Sequence, residues 1–160
     1  MCSYIKKCSD ILDRIYKPIA IIFLVVLTAS CVIQVFTRLL NASPSWTEEV
    51  ARYCFIWINM LGASILSKKK GHAAIDFFVK NLKGVKRRIH TVVISVITLI
   101  AAGVLIYYSV LLIPVVAQQL SPATGIPMSY VYMAVPVGSA GIFIHALSDM
   151  FNVLFPDKPE

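Results

Sequence analysis

Glu48, Glu49 and Arg52 stand in the stretch PSWTEEVARY, directly before residues 54–67, which carry no charge. Two adjacent carboxylates with an arginine one helical turn on could trade protons, hold a cation, or pair among themselves. Enzymatic work would need a nucleophile with its base, a metal cluster or paired catalytic cysteines. His72, His90 and His145 offer no such constellation. Cys2, Cys8, Cys31 and Cys54 form no Cys-x-x-Cys pair and no His/Cys ligand spacing. The expectation is therefore no enzyme, no cofactor and no metal.

Pairing is the reading the spacing favours. Glu48 and Arg52 form an i,i+4 pair in the favourable order, and helical spacing carries the face on to Asn59 and then Gly62 or Ala63. The apolar segment before it has a matching stripe at Cys31, Gln34 and Arg38. A tight connection centred near Ser43 places Arg38 level with Glu48 and Gln34 level with Arg52. Gln34, Arg38, Glu48, Glu49, Arg52 and Asn59 are thus expected to form a structural polar cluster in a helical hairpin, with Arg38 pairing Glu48 or Glu49.

The elements that hold these residues follow from composition. The chain has 160 residues, 58% hydrophobic and 14% charged, with a mean hydropathy of +0.78, where soluble domains carry about 25% charged residues. This predicts an all-α integral membrane protein, a single membrane domain over residues 1–160. Residues 18–37 are uncharged, enough for about 30 Å of helix, the thickness of the hydrocarbon core. Residues 53–67 are short for a span, so the second helix is extended back to Trp46, which takes Glu48, Glu49 and Arg52 into the interface. From residue 91 to 148 there is no Asp, Glu, Lys or Arg. That run is divided by QQLSPATGIPMS, residues 118–129, whose prolines, glycine and amides supply turn chemistry. Four spans are expected, about 18–40, 46–67, 89–117 and 129–154. Ser45 is expected as N-cap of the second, with Glu48 closing a capping box. Pro114 and Pro136 are expected to kink the third and fourth.

A net charge of +7 would ordinarily point to nucleic acid, but eight of the fifteen Lys and Arg lie between Lys68 and Arg88. Basic residues crowded between apolar spans mark a cytoplasmic loop. Lys6, Lys7, Arg14 and Lys17 place the N-terminus on the same side. Both termini are then cytoplasmic, the stretches PSWTEE and QQLSPATGIPMS face outward, and the first span is read as an uncleaved anchor. Within the cytoplasmic connection 68–88, Ile75, Phe78, Val79 and Leu82 recur at helical spacing. They predict a short interfacial amphipathic helix with Phe78, Lys80 and Lys83 at the lipid.

Transport by this chain alone would require an ionisable group deep in a span. The charges instead lie near span ends, and mid-span positions offer only Gln34 and Asn59. A self-sufficient four-helix exporter acting as a dimer is the alternative kept in view. In the fourth span Ala134, Gly138 and Gly141 make a small-residue series, continued by His145 and Asp149, that suits close approach of a neighbouring helix.

Three segments together resemble a known family. PSWTEEVARY (44–53), GHAAID (71–76) and GIPMSYVYMAVPVG (125–138) are similar to the small membrane subunit, of the Q or DctQ type, of tripartite ATP-independent periplasmic (TRAP) transporters. The resemblance covers most of the chain, in order. It implies a bacterial inner-membrane subunit of a sodium-driven, binding-protein-dependent secondary transporter that imports organic acids. An extracytoplasmic binding protein would capture the substrate and a large membrane subunit would carry it by an elevator-like movement. This chain would be static scaffold, stabilising the large subunit. On that reading Ala134, Gly138 and Gly141 are candidates for packing against the large subunit. Trp46, Pro122, Gly125 and Pro127, on the outward loops, are candidates for docking the binding protein. The partners implied are those two proteins and membrane lipid.

Overall fold

The computed structural model describes residues 2–40, 42, 44–68 and 85–154. They form helices α1 (Cys2–Leu39), α2 (Ser45–Lys68), α3 (Val85–Val116), a single turn α4 (Ser129–Tyr132) and α5 (Ala134–Leu154), with no strand among them. Four stretches, Ile5–Leu39, Ser45–Lys68, Ile89–Val116 and Ser129–Phe151, are long and apolar enough to cross a membrane. The protein is an all-α multi-pass membrane protein. The expected amphipathic helix with Phe78, Lys80 and Lys83 lies outside the described residues.

α1 begins well before the expected start at Pro18. Nothing in residues 2–17 breaks a helix, and Asp13 and Lys17 form a 2.5 Å ion pair along it. Pro18 lacks an N–H, which removes one intrahelical bond from the Arg14 carbonyl without ending the helix. The 38 residues of α1 span about 57 Å at 1.5 Å each, nearly twice the hydrocarbon core. Its charged N-terminal turns therefore project past the apolar part of the bundle.

α2 starts with Ser45 as its first helical residue rather than as its cap. The turn is closed one position earlier, where the Pro44 carbonyl accepts the Thr47 amide at 3.3 Å and hydroxyl at 2.8 Å. The expected fourth span is divided at Met133. Pro136 has no N–H to offer the Tyr132 carbonyl, so the ladder skips there, and the αR geometry of Met133 (φ −60°, ψ −20°) keeps the chain on a helical course.

α1 and α2 pack as a hairpin, with Phe23 stacked on Trp57 at 5.4 Å between ring centroids. α5 lies against α1, α2 and α3, whereas α3 takes its packing from α5 and α4. Buried positions recur at seven-residue spacing, Thr47, Cys54 and Leu61 on α2 and Ser95, Ala102, Ser109 and Val116 on α3, with Ser64 buried besides on α2. A seven-residue repeat keeps one narrow seam facing a neighbour in left-handed packing. The remaining surface is apolar and open, including Ile21, Ile22 and Val25 on α1 and Ile97, Ile100 and Leu111 on α3. Apolar exposure on that scale belongs in lipid or against a partner.

One expectation is corrected by this packing. Ala134 is 0% exposed and Gly138 and Gly141 are buried, but by this chain's own helices. A Cβ on Gly138 would stand 2.7 Å from the Met60 carbonyl oxygen, and one on Gly141 would overlap Ser64 Oγ and the Tyr16 ring. The small-residue series lets α5 settle against α2 and α1. It is an internal seam of the bundle, where the expectation had been a face for another chain.

Candidate functional site

Two polar centres stand at opposite ends of the hairpin. The first is built on Glu49, in the opening turns of α2. Its carboxylate accepts from Ser121 Oγ, from the Ala123 and Thr124 amides at 3.1 Å each, and from Thr124 Oγ1 at 3.0 Å. All four donors belong to the connection between α3 and α4. That connection is a small hairpin: Leu120 bridges Pro127, the Ser121 amide donates to Ile126 O, and the Met128 amide donates to Gln119 O. Gly125 closes its turn at φ +67°, a left-handed conformation that glycine adopts without a Cβ penalty, and donates its N–H to Ser121 O at 3.0 Å. An acidic side chain thus fixes a loop far away in sequence by charge-assisted hydrogen bonds.

The expected polar cluster is not one cluster. Glu48 pairs with Arg52 at 3.8 Å on an exposed face, where such a pair contributes little. Gln34 donates to the Thr47 carbonyl at 2.9 Å and so does join α1 to α2. Asn59 donates to Phe55 O within its own helix. Arg38 is exposed, and among the described residues it has no ion pair with Glu48 or Glu49. With Cys31, Gln34, Val35 and Leu39 it lines a groove of about 290 Å³ along α1. Of the outer-loop candidates, Pro122 and Gly125 are exposed and Pro127 is half-buried in the loop that Glu49 holds, while Trp46 is 48% exposed on the turn of α2 preceding Glu49.

The second centre was not anticipated. Lys68, the last residue of α2, reaches Asp10 Oδ1 at 2.8 Å and Asp13 Oδ2 at 3.3 Å on α1, with the Ser9 carbonyl at 3.4 Å. Lys17 donates to Asp13 Oδ2 from the other side. Ser9 Oγ lies 2.7 Å from His145 Nδ1 on α5, and Tyr16 OH donates to Val137 O at 2.8 Å. Three helices are tied together at this end. The signal lay in the spacing of Ser9, Asp13 and Tyr16, at i, i+4 and i+7, which is one helix face. Starting the first span at Pro18 hid it.

Glu49 is committed to loop donors, Lys68 to two carboxylates, and among the described residues no group of His, Cys, Asp and Glu could hold a metal. Both arrangements fasten helices and loops to each other.

The family described as tripartite ATP-independent periplasmic transporters, DctQ component, matches residues 18–155. A Haemophilus influenzae protein carrying the name of a TRAP transporter small permease protein is 26% identical over 147 residues, covering 91% of this chain and 89% of that protein. The sialic acid TRAP transporter small permease protein SiaQ of Vibrio cholerae is 26% identical over 151 residues, covering 94% and 87%. The isethionate TRAP transporter permease protein DctMQ of Oleidesulfovibrio alaskensis is 29% identical over 135 residues, which cover 82% of this chain but 21% of that protein.

Proposed function

The chain belongs to the DctQ-component family of tripartite ATP-independent periplasmic (TRAP) transporters, and from that premise we propose that it is the scaffold subunit of a sodium-driven, binding-protein-dependent importer of an organic acid. It packs against a large membrane subunit that carries the substrate, and itself carries neither substrate nor ion and catalyses no reaction. The observation that carries this reading is the relative in which a region like this chain is one fifth of a single permease polypeptide. A segment built into a longer permease works in contact with the remainder of it.

The arrangement of polar groups supports the division of labour. Ionisable side chains gather at the two ends of the bundle and are engaged there in fastening, as at Glu49 and Lys68. A transported ion would need a site within the apolar length of a span. The partner's surface is the open apolar face of α1 or α3, with lipid on the rest. In the proposed orientation, in the bacterial inner membrane with both termini cytoplasmic, the Glu49 end faces the binding protein. Trp46 and the loop carrying Pro122, Gly125 and Pro127 then form the side of the docking platform contributed by this chain, held to one shape by Glu49.

The test is purification from native membranes followed by reconstitution. A large permease subunit should co-purify. Liposomes with this chain alone should take up no organic acid under a sodium gradient, and leaving it out of the three-component system should abolish uptake. Sodium-driven uptake by the isolated chain would overturn the scaffold reading.

A further inference from the structure

Three side-chain atoms at the Lys68 end are shut off from solvent and lack a hydrogen-bond partner among the described residues: Asp13 Oδ1, Ser64 Oγ and His145 Nε2. Their residues are 7%, 0% and 1% exposed. They come from three helices, α1, α2 and α5, and they surround the contacts that hold those helices together. Lys68 Nζ sits between the Ser9 carbonyl and Asp13 Oδ2. Ser9, one turn before Asp13, meets His145 Nδ1. Gly141, one turn before His145, lies against Ser64 Oγ and the Tyr16 ring.

Leaving a buried carboxylate oxygen and a buried imidazole nitrogen without partners is costly, and native structures seldom do so. The unpartnered atoms are complementary in kind. An ionised Asp13 can only accept. Ser9 Oγ can donate to His145 Nδ1 or accept from it; in the tautomer in which Nδ1 accepts, the ring proton is on Nε2, which then donates, while Ser64 can do either. What fits among them must accept from one side and donate to another. Charge narrows the ligand further. The carboxylates of Asp10 and Asp13 are matched by the ammonium groups of Lys17 and Lys68, which leaves nothing to recruit an ion. Gly141 lies so close to Ser64 Oγ and the Tyr16 ring that a ligand beside them must also be small.

We propose that this node binds a buried water molecule that accepts from His145 Nε2–H, donates to Asp13 Oδ1 and takes Ser64 Oγ as its third partner. Buried waters typically make about three hydrogen bonds, and here three are on offer. The water completes a hydrogen-bonded path from Ser9 through His145 to Asp13 and Lys68, so that α1, α2 and α5 share one network. It also assigns His145 a fixed neutral ring, a joint in the scaffold rather than a proton carrier.

The test is nuclear magnetic resonance of the full chain in lipid nanodiscs with its histidine rings labelled with ¹⁵N. His72→Gln and His90→Gln identify the His145 signals by elimination. The expected result is a neutral ring protonated at Nε2, with a cross-peak from that proton to slowly exchanging water, and loss of the cross-peak in Ser64→Ala. A doubly protonated ring at neutral pH would overturn the proposal, because imidazolium and Asp13 would then meet directly. So would a neutral ring with no water cross-peak, or a cross-peak untouched by Ser64→Ala.

Discussion

Gly138→Ala should destabilise the protein, although alanine ordinarily improves a helix. The added Cβ would stand 2.7 Å from both the Cβ and the carbonyl oxygen of Met60, where ordinary contact begins at 3.4 Å. Relief requires α5 and α2 to part by about 0.7 Å, because a backbone oxygen cannot swing aside as a side-chain tip can. A gap of that size forfeits a quarter to a half of each contact's dispersion energy along the seam, and overpacking of this kind costs about 1–3 kcal/mol. Against it stands the gain of about 0.5–1 kcal/mol from removing a glycine inside a helix. The balance is a loss of up to about 2.5 kcal/mol, or up to about 10 °C in melting temperature for a chain of this size. Gly62 and Gly103 supply the controls, since a Cβ on either meets nothing within 4 Å. Gly62→Ala and Gly103→Ala should therefore leave stability unchanged or raise it by up to about 1 kcal/mol. The assay is thermal unfolding in detergent, followed by circular dichroism or by loss of the monodisperse peak. If Gly138→Ala melts with Gly103→Ala, the internal seam is misassigned and the small-residue face is free for a partner after all.

Lys68→Met should cost about 1–3 kcal/mol, because it strips a charged donor from the buried Asp13, and Lys68→Arg should recover most of the loss in the same melting assay. Glu49→Ala should release the loop between α3 and α4, seen as faster proteolysis within residues 118–128. Glu48→Ala, whose partner is an exposed Arg52, should leave that loop as resistant as before. A cysteine placed at Lys7 should react with an impermeant maleimide only from the cytoplasm and one at Ala123 only from outside; the reverse pattern would refute the proposed orientation.

Helix identity was readable where composition alone decides it. Long uncharged runs broken by Pro, Gly and amide clusters locate the four spans, and the α3 to α4 connection falls where QQLSPATGIPMS predicts. Placement of charge was harder to read. Arg38 and Glu48 are level with each other by residue count, but depth along a hairpin does not say which way a side chain faces around its helix. Glu49 found four donors on a loop more than seventy residues away, a partnership that only tertiary packing can reveal. Gly138 and Gly141 signalled close approach correctly, yet a small-residue stripe carries no label distinguishing an internal neighbour from another chain. The Lys68 centre had its signal in the helical spacing of Ser9, Asp13 and Tyr16, and it was masked by treating Pro18 as a beginning rather than an interior residue.

That α3 rests on α5 and α4 bears on how the molecule is made. A chain emerging N-terminus first can join α1 to α2 as soon as both are inserted, since they are neighbours in sequence and in space. α3 has no such companion. Until the 21-residue α5 arrives, its seam of Ser95, Ala102 and Ser109 faces lipid, a guest waiting for its host. α5 then seats itself against three helices at once. Premature termination before Ala134 would leave a sound hairpin trailing an unaccompanied span, the kind of product that membrane quality control is suited to remove. α5 is thus the helix that certifies the three made before it.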